Sequence, residues 1–155
     1  MTVCVITISD RASRGQYEDR SGPEIVSILR EALSDCEIRR EVVPDQIQAI
    51  NDAFDRHTDA DFILTTGGTG ISSRDVTPEA TRSYCERELP GIAEILRAES
   101  YRETPTAVLS RGVSGIRGNT IIVNFPGSVK AVRLCTGVLI PIMEHALSML
   151  RGEGH

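Results

Sequence analysis

The stretch from Phe62 to Pro78 constrains the fold most, because a strand, a glycine loop and a helix start follow one another in it. Apolar and β-branched residues open the stretch and favour a strand. The strand cannot continue through the glycines that come next, so the chain must turn there. Thr77 is predicted to cap a helix that begins at about Pro78, since its hydroxyl can accept a free backbone N–H and proline presets φ.

The turn contains three glycines within four positions, and a loop of this kind brings backbone N–H groups close together. Such a concavity binds anions. The same glycines would also suit a tight surface turn, so the neighbouring segments must decide between the two interpretations. The predicted anion cradle consists of Thr66, Gly67, Gly68, Thr69 and Gly70.

Length and charge limit the classes of protein that the chain can form. With 155 residues it is expected to form one domain, residues 1–155, around one core. Its four cysteines lie far apart, without the C-x-x-C spacing of a zinc site. A net charge of -5 and a pI near 5.2 argue against nucleic-acid or membrane binding. Without a basic leader or an apolar run of membrane-spanning length, the chain is expected to be soluble and cytoplasmic.

Strands and helices are predicted to alternate along the chain, from hydrophobic alternation in the strands and apolar residues at helical spacing between them. This order implies right-handed crossovers and a mostly parallel sheet with helices on both faces, a three-layer α/β fold. The predicted strands are Thr2–Ser9, Glu37–Val43, Phe62–Thr66 and Thr120–Val123. The predicted helices begin at Ser21 with a capping box, near Ile47, at Pro78 (ending near Glu88), near Ile92 and at Val129, the last one kinked or split at Pro141.

A polar segment follows each predicted strand. A long loop, Ser9–Arg20, leaves the first strand, Asp45 follows the second, the glycine loop follows the third, and Pro126–Lys130 follows the fourth. Ligands of such sheets bind beside the carboxyl ends of the strands. We therefore expect the four segments to meet at one edge of the sheet and to form a binding site there.

A second anion site is predicted at the start of the last helix, because the free N–H groups and the helix dipole at Gly127 and Ser128 favour phosphate. Lys130 lies in the first turn and is the only lysine among the 17 basic residues. A helix end contributes about 0.3 to 1 kcal/mol. A cation about 4 Å from a phosphate contributes about 4 kcal/mol at an effective dielectric constant of about 20. Lys130 is therefore expected to dominate this site.

Asp45 and Asp75 are the carboxylates best placed to hold Mg²⁺, which binds through one or two carboxylates together with substrate phosphates. Each of them, like Asp10, would also suit a turn or a helix cap. Two common nucleotide motifs are excluded. The chain has no G-x-x-x-x-G-K followed by Ser or Thr, and the glycine loop lacks the third glycine of a dinucleotide-binding fingerprint.

Six short motifs occur in a fixed order along the chain. They are Ser9-Asp10-Arg11-Ala12-Ser13, Tyr17-Glu18-Asp19-Arg20-Ser21-Gly22-Pro23, Pro44-Asp45, Thr65-Thr66-Gly67-Gly68-Thr69-Gly70, Arg74-Asp75-Val76-Thr77-Pro78 and Pro126-Gly127-Ser128-Val129-Lys130-Ala131. In this order they resemble the molybdopterin adenylyltransferases, the MogA/MoaB family, which is related to the G domains of gephyrin and of its plant counterpart. The resemblance covers essentially the whole chain and is more specific than any one glycine loop.

The resemblance implies the molybdenum cofactor biosynthesis protein fold and Mg²⁺-dependent transfer of AMP from ATP to the terminal phosphate of molybdopterin, with release of pyrophosphate. It implies that residues 66–70 bind the nucleotide and that Asp45 and Asp75 are catalytic and hold the metal. Molybdopterin would be bound by Thr7, Ser9, Asp10, Gly127, Ser128 and Lys130. A homotrimer and hand-over to a molybdate-inserting partner are also implied.

Two alternatives to the transferase remain open. Competence-damage-inducible proteins of the CinA type share the fold and a similar glycine loop and act as nucleotide pyrophosphatases, although Ser9-Asp10-Arg11 and Pro126–Lys130 match the transferase better. A non-catalytic molybdopterin-binding protein is the other alternative. The family commonly has leucine at Phe125 and proline at Val129, which implies a less rigid phosphate loop here. The segment Ser110–Gly118 resembles the MoaB branch, whereas the first loop resembles the MogA branch.

Overall fold

One six-stranded sheet organises the chain in the computed structural model, which describes residues 1–153. The predicted domain, residues 1–155, also includes Gly154 and His155, which lie outside the described residues. The strands are β1 Thr2–Ile8, β2 Glu37–Val43, β3 Phe62–Thr66, β4 Arg87–Glu88, β5 Ser114–Arg117 and β6 Thr120–Phe125. Their order across the sheet is β2-β1-β3-β6-β5-β4.

The four strands predicted from the sequence form the parallel part of the sheet. β1 pairs with β2 and with β3, and β3 pairs with β6. The prediction of a mostly parallel sheet is therefore confirmed. The sequence pattern does not predict β4 and β5, which pair antiparallel with each other, as β5 does with β6. These strands have two and four residues, too few to show a strand period.

Helices cover both faces of the sheet, which confirms the three-layer α/β prediction. They are α1 Asp10–Ser13, α2 Ser21–Ala32, α3 Ile47–Arg56, α4 Thr77–Tyr84, α5 Pro90–Glu103 and α6 Val129–Leu150, with a 3-10 helix at Pro105–Leu109. One hydrophobic core lies between the sheet and α2, α5 and α6. The other lies between the opposite face and α3 and α4. Both faces are thus buried, as a parallel sheet requires.

The bounds of α4 differ from the prediction at both ends. Thr77 is its first residue rather than its cap, because the Thr77 hydroxyl donates a hydrogen bond to the Gly67 carbonyl oxygen at 3.0 Å. α4 ends at Tyr84 and not near Glu88, which belongs to β4. The threonine therefore holds the glycine loop instead of the helix start.

The segment between β1 and α2 is not one long loop. Its first residues form the one-turn helix α1, which Ser9 caps by accepting a hydrogen bond from the Ala12 N–H at 3.2 Å. Ser21 begins α2 but does not cap it. The Asp19 carboxylate accepts from the Gly22 N–H at 3.0 Å and replaces the predicted capping box.

α6 is one continuous helix across Pro141, so the predicted split does not occur. A proline in a helix interior costs about 3 kcal/mol, and the burial of Leu139 and Met143 against the sheet on either side offsets this cost. α6 is also long and apolar enough to cross a membrane by length and composition. The expectation that no such run exists is therefore wrong, although the buried side chains of α6 belong to the core beneath it.

We expect Leu139→Ala to lower the free energy of unfolding by about 2 to 5 kcal/mol, because it leaves a cavity where the side chain is 1% exposed. Ile142→Ala is the matched control on the same helix, at a side chain 39% exposed, and should cost about 1 kcal/mol or less. Urea unfolding of both variants measures the difference. Equal losses would show that α6 is not anchored through the Leu139 face.

Candidate active site

The glycine loop, residues 67–70, begins where β3 ends and turns sharply. Gly67 and Gly68 have φ values of 99° and 64°, a region that glycine enters without strain. The Gly67 N–H donates to the Phe125 carbonyl oxygen at 3.2 Å, and the Thr77 N–H donates to the Gly68 carbonyl oxygen at 3.1 Å. The loop is therefore held between β6 and α4.

Four successive backbone N–H groups at this loop are unpaired. Those of Gly68, Thr69, Gly70 and Ile71 donate no hydrogen bond to any residue between 1 and 153. All four residues line one cavity. Backbone N–H groups without a partner in the chain are available to water or to a ligand, and a run of successive N–H groups in a turn can form an anion-binding concavity. The predicted cradle thus has the donors that an anion needs.

Two carboxylates lie against the glycines of the loop. A Cβ atom at Gly68 would lie 2.9 Å from Oδ1 of Asp45, and one at Gly70 would lie 2.8 Å from Oδ2 of Asp75. Neither position could carry a side chain without displacing a carboxylate. The glycines therefore allow both aspartates to approach the cradle.

Asp45 is tied to Asp10 by two reciprocal hydrogen bonds. The Asp10 N–H donates to Oδ2 of Asp45 at 2.8 Å, and the Asp45 N–H donates to Oδ1 of Asp10 at 3.0 Å. Arg74 hydrogen-bonds to Asp10 and lowers the pKa of that carboxyl. Burial raises the pKa of Asp45, and the charges of Asp10 and Asp75 raise it as well. These contacts join the segments that follow β1, β2 and β3, as the sequence predicts.

A cavity of about 470 Å³ lies between the glycine loop, α5, the 3-10 helix and the start of α6. Its apolar lining includes Ala93, Leu96 and Leu134, and its polar lining comes from the glycine loop and from residues 127–130. The volume is in the range of small-molecule sites. The two predicted anion sites therefore open into one cavity.

The segment after β6 touches the glycine loop directly. The Thr66 hydroxyl donates to the Pro126 carbonyl oxygen at 2.8 Å, and a Cβ atom at Gly127 would lie 3.4 Å from the Cα atom of Gly67. Ser128 caps α6 by accepting a hydrogen bond from the Ala131 N–H at 3.2 Å. The first N–H groups of a helix have no acceptor within it, so the start of α6 adds free donors beside the cradle.

Lys130 is paired with Glu103 of α5, its Nζ atom lying 3.3 Å from Oε2 of the glutamate. Both residues line the cavity. The two side chains are 67% and 47% exposed, so water screens the lysine charge. Its attraction to a phosphate about 4 Å away is then closer to the aqueous value of about 1 kcal/mol than to about 4 kcal/mol. The dominance predicted for Lys130 is accordingly reduced.

The structure brings part of the predicted site to the cavity. The predicted residues that line it are Gly68, Thr69, Gly70, Asp75, Gly127, Ser128 and Lys130. The remaining predicted residues lie outside this lining. The buried Thr7 hydroxyl, for example, donates to Asp19 at 2.7 Å. The predicted residues outside the lining are Thr7, Ser9, Asp10, Asp45, Thr66 and Gly67.

Several residues that line the cavity are not predicted from the sequence. The buried Asn124 amide donates to the hydroxyls of Thr65 at 3.0 Å and Thr81 at 2.9 Å. Arg97 donates to the Gly112 carbonyl oxygen at 2.6 Å. The position of Asn124 directly after a predicted strand could have marked it, whereas Arg97 stands in a helix pattern without any such signal.

A metal ion at this site would have to share its ligands with a substrate. Among residues 1–153, no group of three or more His, Cys, Asp and Glu side chains could hold a metal ion. Mg²⁺ needs only one or two carboxylates when substrate phosphates complete its coordination. Asp45 and Asp75 beside the cradle fit this pattern, and the raised pKa of Asp45 marks a place where a cation would be favourable.

The fold and the site define an α/β protein in which two adjacent loops at the carboxyl edge of a mostly parallel sheet line one cavity. Comparison with known proteins identifies its family. Residues 4–145 match the family model described as a probable molybdopterin binding domain. The chain belongs to this family.

Relatives and solved structures agree with this assignment. The molybdopterin adenylyltransferase of Helicobacter pylori is 40% identical over 153 residues, which cover 96% of this chain and 87% of the relative. Gephyrin of Dictyostelium discoideum is 42% identical over 97% of this chain but over 23% of its own length. The molybdopterin biosynthesis enzyme MoaB from Thermus thermophilus has a TM-score of 0.88 at 41% identity, covering 97% of this chain and 96% of that one.

One further structure bears on the pyrophosphatase alternative. The protein CinA from Thermoplasma acidophilum has a TM-score of 0.71 at 19% identity, covering 92% of this chain and 99% of that one. This likeness shows the fold alone.

We expect Asp45→Asn to raise the free energy of unfolding at pH 7 by up to about 1 kcal/mol. The amide keeps an oxygen for the Asp10 N–H but removes a charge that burial and two carboxylates disfavour. Folding raises the pKa of Asp45, so the ionised carboxylate destabilises the wild-type fold at a pH above the folded-state pKa. This destabilisation vanishes as the pH falls below 3.8, where the carboxyl is protonated in both states. The stability gain should therefore shrink toward zero in acid.

Urea unfolding at pH values from 7 to about 3 measures this gain. Asp35→Asn, in the exposed turn between α2 and β2, removes a carboxylate that lacks these neighbours and serves as the control. A gain for Asp45→Asn that persists at the lowest pH, or a loss at pH 7, would contradict the electrostatic explanation.

Proposed function

We propose that this protein is a molybdopterin adenylyltransferase of molybdenum cofactor biosynthesis, which transfers AMP from ATP to the terminal phosphate of molybdopterin. One observation carries the proposal. The glycine loop, whose N–H groups at residues 68–70 have no acceptor among residues 1–153, and the start of α6 line the same cavity, an arrangement in which two phosphate groups can be held side by side. Membership of the molybdopterin-binding family and the name of the Helicobacter relative support the same activity.

The residues of the chain position both substrates. The N–H groups of residues 68–71 bind phosphates of ATP, and the start of α6 with Ser128 and Lys130 binds the terminal phosphate of molybdopterin. An oxygen of that phosphate attacks the α-phosphorus of ATP. The new P–O bond forms as the bond from the α-phosphorus to the bridging oxygen breaks, and pyrophosphate leaves. Such a transfer requires mainly positioning and charge stabilisation, which preorganised donors supply.

Asp45 and Asp75 are the residues that would hold Mg²⁺, which when bound would neutralise charge on the phosphates. Asp75 lines the cavity and Asp45 lies against Gly68. The Asp75 carboxylate is oriented by the Ser72 N–H, which donates to its Oδ2 atom at 3.0 Å. Asp10 is already paired with Arg74, which supports leaving it out of this role.

The proposal also includes the cellular location, the oligomeric state and the partner of the protein. The net charge of -5 argues against binding to nucleic acid or to membranes, which need clustered cationic surface. A cytoplasmic location is part of the same proposal. The resemblance to the MogA/MoaB family supports a homotrimer and hand-over of the product to a molybdate-inserting partner. Light scattering over a range of protein concentrations measures the oligomeric state.

Incubation with molybdopterin, ATP and Mg²⁺ should yield adenylylated molybdopterin, and Asp75→Asn should lower the rate by about 100-fold or more. Asparagine keeps an oxygen for the Ser72 N–H but lacks the charge, so the fold should be unaffected. Mass spectrometry detects the product, and Asp35→Asn is the charge control. Full activity in Asp75→Asn would refute the metal assignment.

The same preparation tests the two alternative functions. Release of AMP from ADP-ribose without a pterin would support a pyrophosphatase, and pterin binding without ATP turnover would support a carrier.

Lys130→Ala should weaken molybdopterin binding by about 10-fold while changing ATP binding less than about twofold, because the ammonium group lies at the start of α6. Glu103→Gln frees the lysine from its partner and should strengthen molybdopterin binding. Isothermal titration with each substrate alone separates the two effects. A defect confined to ATP would reverse the allocation of the two anion sites.

A further inference from the structure

Arg111 makes its contacts mainly with the segment that contains the glycine loop. Its backbone N–H donates to the Thr69 carbonyl oxygen at 2.8 Å. Its side chain donates from Nε to the Gly70 carbonyl oxygen at 2.7 Å and from Nη2 to the Asp75 carbonyl oxygen at 2.8 Å. One residue thus holds three carbonyl groups within residues 69–75.

The same guanidinium is paired with Glu79 in the first turn of α4, and its hydrogen bond lowers the pKa of that carboxyl. The neighbours Ser110 and Gly112 line the cavity, whereas Arg111 does not. Arg111 therefore holds the loop from outside the cavity lining. Its contacts are with the loop itself rather than with the space in which a ligand would bind.

Peptide geometry connects these contacts to the anion cradle. In a trans peptide the C=O and the following N–H point in opposite directions. Holding the carbonyl groups of Thr69 and Gly70 away from the cavity therefore turns the N–H groups of Gly70 and Ile71 toward it. In the described part of the chain these two N–H groups have no acceptor, and both residues line the cavity.

Asp75 is held at the same time. Arg111 fixes its carbonyl group, and the Asp75 carboxylate lies against Gly70, whose own carbonyl Arg111 also holds. Only a planar fork of N–H donors can bridge acceptors placed in this way, since the three donors of lysine radiate from one nitrogen.

We propose that Arg111 is the positioning residue of the nucleotide site: it orients the Gly70 and Ile71 N–H groups and the Asp75 carboxylate without touching the substrate. The consequence for ATP rests on the proposed function. The start of α6 receives no hydrogen bond from Arg111 within residues 1–153. Loss of Arg111 should therefore affect the two substrates unequally.

The kinetic test compares Arg111→Met and Arg111→Lys with Arg39→Met. Arg39 is matched because it pairs with Glu37 and Asp59 and is 34% exposed, against 35% for Arg111, but it lies on the edge strand β2. Arg111→Met should lower kcat/KM for ATP about 10- to 100-fold and change molybdopterin affinity less than about twofold. Arg111→Lys should remain impaired, and Arg39→Met should match the wild type.

Hydrogen exchange of the substrate-free protein tests the positioning without any activity. In the segment that follows the glycine loop, the Ser72 N–H donates to the Asp75 carboxylate and the Asp75 N–H donates to the Ser72 carbonyl oxygen. In Arg111→Met they should exchange about 10-fold faster or more, while the β3 amides keep their protection. A general structural role would instead raise exchange across the sheet and weaken both substrates alike.

Unchanged loop exchange together with unchanged kcat/KM for ATP in Arg111→Met would overturn the proposal. Loss of protection throughout the sheet in both Arg111 variants would overturn it as well, because Arg111 would then stabilise the whole fold. If the wild type fails to adenylylate molybdopterin, the proposed function fails. The exchange measurement still decides whether Arg111 positions the loop.

Discussion

The parallel pairing of β3 with β6 is the interaction on which the site depends. Thr66 and Phe125, the last residues of the two strands, are register partners. The glycine loop and the segment that starts α6 therefore leave the sheet side by side, and the Thr66 hydroxyl and Gly67 N–H reach across to Pro126 and Phe125. A register shift of one residue would turn every β6 side chain to the opposite face and separate the two anion sites.

The sequence predicts β1, β3 and β6 well because they are buried on both faces and carry apolar or β-branched runs. It predicts the edge strand β2, which carries charged side chains, from its alternating pattern instead. The bounds of β2 and β3 agree with the prediction residue for residue. β5 has no such run. Its Gly115 is required because a Cβ atom there would lie 2.8 Å from the Arg87 carbonyl oxygen. Arg87 belongs to the paired strand β4, so this requirement is visible in the fold and not in the sequence of β5. The sequence likewise predicts Thr77 as a local cap, but its hydroxyl donates to the distant Gly67 carbonyl group instead, a contact that only the folded chain shows.

The site was predictable where its residues follow directly on a strand. Asp75, Ser128 and Lys130 belong to such segments, and sheet topology alone brings them to one edge. The residues that complete the cavity come from elements whose helical or irregular patterns carry no mark of their contacts. Arg111 reaches carbonyl groups 36 and 41 residues away in sequence. Glu103 meets Lys130 only because α5 packs against α6.

The electrostatics of the site explain why free N–H groups alone cannot make it a polyphosphate site. The protein has a net charge of -5 and keeps Asp45, Asp75 and Glu103 near the proposed phosphates. The pKa of Asp45 is raised by burial and by its acidic neighbours, so negative charge is already unfavourable there. Backbone N–H groups orient a phosphate but carry no net charge, and Lys130 is shared with Glu103. The proposed Mg²⁺, held by Asp45 and Asp75, would supply the positive charge that these residues do not. Selectivity for the metal-bound nucleotide over other anions would then arise from the carboxylates rather than from the cradle, because only a cation makes their approach to the phosphates favourable.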